Sequence, residues 1–290
     1  MGSPGAAAPT PFAIEHDGLR IAGLDWGGDG EPLLLLHPNG FCAGLFDPVA
    51  RRLAAGGGFR PVGVDLRGHG ASGKPPPPEP YRYDLMAADV VAVLDHLRLD
   101  AVLAAGGSLG GGVAIQLDRL QPGRVRRMML CEAIARPLAE IPTGTENPLV
   151  AVARRRRVIW PSRAEIEASY GSRPPLDALA PEALSAYLDC GTVARADGGV
   201  ELACPPQVEA AIFGGVPSLR GVAEAWDHLA HLTAEAVVLA GRHSALPLAW
   251  IEAQAERAGA PFVAVDGGHF FLHEDTDRGV ALIREHLGRG

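Results

Sequence analysis

Lysine is nearly absent from this chain: Lys74 is the only one among 26 basic residues in 290. With 34 acidic residues the formal net charge is −8. That balance gives no basic excess for a nucleic-acid backbone to recognise. No apolar run approaches the ~20 residues of a membrane-spanning helix. The opening stretch, residues 1–11, is rich in Gly, Ala and Pro and lacks the charged and apolar regions of a signal peptide. It reads as a flexible tail. Four cysteines (Cys42, Cys131, Cys190, Cys204) show no metal-ligand spacing. Ten histidines are scattered along the chain. Neither a metal nor a cofactor is expected, and the thiols read as reduced in a cytoplasmic protein, with a Cys190–Cys204 bridge left open.

What is present is a strand–helix alternation. Phe12 to Trp26 alternates apolar and polar residues around Asp17-Gly18, which predicts a hairpin. Leu33–Leu36 and Pro61–Asp65 read as buried strands, separated by a helix from Leu45 to Ala55. Asp84 is placed to cap a helix presenting Leu85, Ala88, Val91 and Leu94. Strands follow at Ala101–Ala105 and Val125–Cys131, around a helix ending near Leu120. The C-terminal part repeats the theme: strand 236–240, helix 248–258, strand 262–265, helix 278–287. Such alternation predicts an α/β fold with a mostly parallel central sheet flanked by helices.

The pattern breaks between about Pro137 and Trp226. Helical stretches appear at Ala151–Ile159, Ala164–Tyr170 and Pro181–Leu188, with one short extended piece at Gly199–Ala203. A helical cap over residues 137–226, inserted after the sixth strand, is the expectation; residues 12–136 and 227–290 form the core. Within it, Arg154–Arg157 invites a phosphate-site reading, but a solvated or salt-bridged helix face is preferred.

Gly106-Gly107-Ser108-Leu109-Gly110 lies between an apolar strand and a helix. That is the G-x-S-x-G nucleophile elbow in the context its geometry requires. Small residues two before and two after the serine let strand and helix cross closely, and the helix N-terminus favours developing negative charge. Three further motifs occur in order: His37-Pro38-Asn39-Gly40-Phe41, Asp65-Leu66-Arg67-Gly68-His69-Gly70, and Gly267-Gly268-His269-Phe270. Together the four resemble the α/β-hydrolase superfamily, in its form with a serine nucleophile and a cap.

The resemblance implies Ser108 as nucleophile and His269 as its base; His273 is the competitor. His37 and His69 read as loop-fixing residues. The backbone N–H of Leu109 is one oxyanion-hole donor. Pro38 has no N–H to give, so Asn39 is assigned the second. The acid commonly follows the penultimate strand, but there the chain has Ser244 and no carboxylate. Glu132, at the end of the strand after the elbow helix, is assigned instead, with Asp227 and Asp266 as rivals. Phe41, Trp160, Phe213 and Phe270 are assigned to the substrate pocket.

Serine at the elbow excludes relatives that need aspartate there, such as epoxide hydrolases and haloalkane dehalogenases. It implies acyl transfer from a carboxylic ester, lactone or thioester through an acyl-enzyme. A carbon–carbon bond hydrolase, a perhydrolase and a non-catalytic ligand-binding member remain open. The expected partner is a small-molecule substrate, without nucleic acid or membrane, on a monomer or homodimer.

Overall fold

A computed structural model of the chain describes residues 8–141 and 147–288. Its centre is an eight-stranded sheet in the order β1-β2-β4-β3-β5-β6-β10-β11. Antiparallel β1 (Thr10–His16) and β2 (Leu19–Asp25) form the hairpin at one edge, turning through Asp17 and Gly18 at φ +48° and +73°. The expected tail therefore ends earlier than residue 11, since Thr10 pairs with Asp25; its residues 1–7 lie outside the described residues.

From β4 onward the neighbours are parallel: β3 (Glu31–Leu36), β4 (Phe59–Asp65), β5 (Val102–Gly107), β6 (Val125–Cys131), β10 (Glu235–Gly241) and β11 (Phe262–Val265). Leu33 to Leu36 are all within 1% of full burial, as a strand covered on both faces requires. One face is covered by α2 (Tyr83–His96), α3 (Leu109–Leu120), α8 (Val216–Leu229) and α9 (Leu248–Ala258). The other carries α1 (Asp47–Ala55) and α11 (Thr276–Leu287). Strand order reverses beside β3, where β4 lies on one side and β5 on the other. In open α/β sheets the loops diverge at such a point and leave a crevice at the C-terminal strand ends.

Two local expectations need correction. In α2 the buried face is Met86, Ala87, Val90, Val93 and Leu94, a rotation from the face read in the sequence. Asp84 makes no cap and pairs instead with Arg82. The helix is apolar on most sides, so packing rather than periodicity chooses its face.

Residues between β6 and β10 include α4 (Pro148–Arg154), α5 (Arg163–Tyr170), α6 (Pro181–Gly191) and α7 (Pro206–Gly214). They are not helical throughout: β7 (Ile159–Trp160), β8 (Thr192–Ala194) and β9 (Val200–Leu202) form a small antiparallel sheet. The helix expected to reach Ile159 stops at Arg154. Val158 and Ile159 are β-branched, and Trp160 precedes Pro161, which bars the α conformation. Helix α8 packs on α3 and α2, so the insertion over the sheet edge ends near Gly215 rather than Trp226. Helix α6 lies tight on the 3-10 turn Ala43–Phe46: a Cβ on Gly44 would fall 2.6 Å from Cys190 Cβ. All four cysteines are free.

Candidate active site

Ser108 stands between β5 and α3 at φ +53°, ψ −115°. For a non-glycine residue this costs on the order of 1–3 kcal/mol and persists only where the surroundings enforce it. The flanking glycines explain the turn. A Cβ on Gly106 would lie 2.6 Å from the Gly110 carbonyl oxygen, and one on Gly110 only 2.1 Å from that of Leu36. The Ser108 carbonyl accepts the N–H groups of Gly111, Gly112 and Ile134 at 3.1, 3.2 and 3.0 Å. Its own N–H donates to Cys131 at 3.0 Å, binding the elbow to the end of β6. The side chain is nearly buried, and among the described residues its hydroxyl has no hydrogen-bond partner.

Glu132 follows β6 directly and is fully buried, also with a positive φ, +48°. Its Oε2 lies 2.5 Å from His269 Nδ1 and accepts the Ser244 hydroxyl at 2.7 Å. Oε1 accepts the Gly241 N–H at 2.8 Å. Three donors thus offset the cost of removing this carboxylate from water. Ser244 stands where the common family pattern has an acid, and it donates to the carboxylate that His269 contacts. Gln254 on α9 pins the next turn by donating to the Ala133 and Ala135 carbonyls at 2.8 and 3.1 Å.

The rival carboxylates lie elsewhere, and the competing histidine is packed away from solvent. Asp227 is exposed beside Arg257 at 3.5 Å. Asp266 is exposed between His243 and Arg278, at 2.9 and 3.0 Å, which hold its carboxyl below the usual range. His273 is buried edge-on to Phe46 at 4.8 Å, and burial lowers its pKa to about 3. Sequence reading missed Glu274. It sits on α10 (Phe271–Glu274) and accepts the N–H groups of Gly268 (2.8 Å) and Phe270 (3.2 Å), clasping the turn on both sides of His269. A carboxylate five residues beyond the histidine was its only trace.

The loop after β3 is set by one carbonyl. Pro38 O accepts the His37 Nδ1–H at 2.8 Å and the Phe41 N–H at 3.2 Å. In a trans peptide the N–H points opposite to the C=O, so both bonds also aim the Asn39 N–H away from them. His37 Nε2 accepts the Leu66 N–H at 3.0 Å, which fixes the tautomer, and burial lowers the ring's pKa to about 4. His69, held neutral by burial, accepts the Gly40 N–H at 3.0 Å. Among the described residues neither the Asn39 nor the Leu109 backbone N–H has an acceptor. The Asn39 side chain reaches out of the loop to α7, donating to the Glu209 carbonyl at 3.1 Å.

Phe41 and Phe270 are neighbours, with ring centroids 5.1 Å apart, and Phe270 lies 5.0 Å from the His269 ring. A small cavity is lined by Pro38, Gly107, Cys131, His269, Phe270, Phe271, Leu272 and His273. Trp160 belongs to the same apolar cluster, edge-on to Tyr170 at 5.8 Å. Phe213 does not: it packs with Val150, Ala153 and Ala210, which corrects its assignment to the pocket. The arginine run also divides. Arg154, Arg155 and Arg157 are exposed, whereas Arg156 turns inward to Glu209 at 2.5 Å. Among the described residues no cluster of three or more His, Cys, Asp and Glu could hold a metal. Among the described residues no helix is long and apolar enough to cross a membrane.

A family profile described as the alpha/beta hydrolase fold matches residues 31–180. The AB hydrolase superfamily protein YisY of Bacillus subtilis is 38% identical over 146 residues, 50% of each chain. A non-heme chloroperoxidase of Streptomyces lividans is 32% identical over 161 residues, 54% of this chain and 57% of the relative. The chain thus spans about half the length of the curated relatives it matches. Among solved structures, a thermophilic esterase from Thermogutta terrifontis superimposes with a TM-score of 0.70 at 25% identity, covering 97% of this chain and 98% of that one. The order of strands, the elbow after β5 and the profile match agree: the chain belongs to the alpha/beta hydrolase fold family.

Proposed function

We propose that this α/β hydrolase is a serine hydrolase that cleaves a carboxylic ester, lactone or thioester through an acyl-enzyme. The observation that carries the reading is the 2.5 Å contact between Glu132 Oε2 and His269 Nδ1, beside an elbow serine held in a strained turn. In this reading Nδ1–H is fixed by Glu132, so Nε2 is the basic nitrogen. It takes the Ser108 proton as Oγ attacks the substrate carbonyl. The imidazolium formed is compensated by Glu132. The Asn39 and Leu109 N–H groups receive the oxygen as it becomes negative. His269 then protonates the leaving group, and a water activated at Nε2 releases the acid and regenerates Ser108.

The test is a panel of p-nitrophenyl esters, lactones and thioesters of graded chain length, run with wild type and Ser108→Ala. Turnover confined to wild type supports the reading; equal turnover by Ser108→Ala removes it. Similarity to the relative named a chloroperoxidase supports a second reading. There hydrogen peroxide replaces water at the acyl-enzyme and yields a peracid. Halide oxidation that requires acetate, peroxide and Ser108 together would favour it.

A further inference from the structure

Three separate pieces of the inserted region converge on Gly40, the residue after Asn39. Arg156 follows α4, Tyr187 lies on α6 and Glu209 on α7. The Tyr187 hydroxyl donates to the Gly40 carbonyl at 3.0 Å. The Glu209 carbonyl accepts the Asn39 side-chain amide at 3.1 Å. Arg156 ties the two together: Nη1 donates to Glu209 Oε2 at 2.5 Å, and Nη2 to the hydroxyls of Tyr187 (3.2 Å) and Tyr170 (2.9 Å). Gly40 has φ +81°, and a Cβ there would lie 3.0 Å from both Arg156 Nη1 and the Glu209 carboxylate. The loop is pressed against the ion pair with no room for a side chain. The Arg156 side chain is 18% exposed and that of Glu209 11%, so the pair is shielded from solvent screening.

The two peptides flanking Gly40 are therefore held from opposite sides. Its N–H is held by His69 of the core and its carbonyl by Tyr187 of the insertion. Movement of α6 or α7 is transmitted through these bonds to the Asn39 peptide. We propose that Tyr187, Arg156 and Glu209 are positioning residues, a clamp by which the cap sets the Asn39 N–H against the reacting carbonyl. This rests on the proposed role of that N–H in the hydrolytic reaction.

Because the clamp acts through the oxyanion donor, its loss should weaken the transition state more than the ground state. Tyr187→Phe keeps the ring packed on Phe41, 4.7 Å away, and removes only the hydroxyl. With active sites counted by fluorophosphonate titration, Tyr187→Phe is expected to lower kcat roughly tenfold with KM within about twofold. That loss is smaller than the ~10²–10³ for deleting an oxyanion donor outright. The Ki of phenylboronic acid, a mimic of the tetrahedral adduct, should rise by the same factor. Arg156→Lys, which keeps the charge opposite Glu209 but not the fork to both phenols, should behave likewise. Tyr170→Phe removes a bond that does not reach the loop and should change both constants by no more than about twofold.

Wild-type kcat and Ki in Tyr187→Phe and Arg156→Lys would overturn the clamp, as would a rise in KM alone. So would losses that vanish once active sites are counted. If Ser108→Ala retains full turnover, the hydrolase reading itself falls, whatever Tyr187 does. If Ser108→Ala is inactive while Tyr187→Phe and Arg156→Lys are unaffected, only the clamp falls.

Discussion

Glu132→Gln exchanges one oxygen for an NH2 of almost the same volume, and the surrounding hydrogen bonds decide its orientation. The Gly241 N–H demands an acceptor at the Oε1 position, where it now donates at 2.8 Å. Leaving that buried donor unpaired costs about 1–3 kcal/mol, so the amide oxygen stays there. The new NH2 then faces His269 Nδ1 and Ser244, and it can only donate. Nδ1 must become the acceptor, and the ring proton moves to Nε2, the nitrogen that should take the proton of Ser108. An amide in place of a triad acid lowers kcat by about 10⁴ through this wrong tautomer, or about 5 kcal/mol of barrier. The assay is steady-state hydrolysis of the best p-nitrophenyl ester at neutral pH. A melting curve serves as the control for folding. A Glu132→Gln enzyme that melts normally and keeps more than about a tenth of wild-type kcat would refute the reasoning. So would Asp227→Asn or Asp266→Asn costing more than Glu132→Gln.

Ser244→Ala removes one of three donors to the same carboxylate and should lower kcat by about tenfold, far less than Glu132→Gln, which stopped-flow or steady-state kinetics will separate. Gly110→Ala places a Cβ 2.1 Å from a backbone oxygen, whereas at Gly107 the nearest atom is Pro38 Cγ at 3.5 Å. Thermal melting should therefore show Gly110→Ala destabilised by at least ~1–3 kcal/mol and Gly107→Ala close to wild type. His273 is neutral in the fold, with its pKa lowered by burial from 6.5 to about 3. Its contribution is complete above pH 6.5 and is lost as pH falls toward 3, because the unfolded chain takes up the proton first. His273→Phe should flatten the acid limb by up to about 1.36 kcal/mol per pH unit, and urea titrations at several pH values between neutral and acid will measure the slope. An unchanged slope would contradict the assignment of His273 as a buried neutral ring.

The core was readable because its signals are local. Leu33–Leu36 is an unbroken apolar run, and Gly106 and Gly110 are imposed by contacts only a few ångströms from the serine. Glu132 was readable because a strand end fixes its position along the sheet edge. What was hidden depends on distant partners or on elements too short to show a period. Strands of two or three residues, β7, β8 and β9, cannot display an alternation. Arg156 looked like its exposed neighbours because Glu209 lies 53 residues away. Phe213 had the right chemistry for a pocket but sits on the face of α7 turned toward α4. Glu274 carries no motif, and its role appears only when the turn around His269 is folded.

The close approach of Cys190 to Gly44 also makes a clock. Among the described residues Cys190 is the only exposed cysteine, and burial of its sulfur raises the thiol to about 11. At neutral pH little thiolate is present, so a maleimide reacts slowly. Saturating ligand that draws α6 closer to the turn should slow the labelling further, so the rate times how firmly the two surfaces meet.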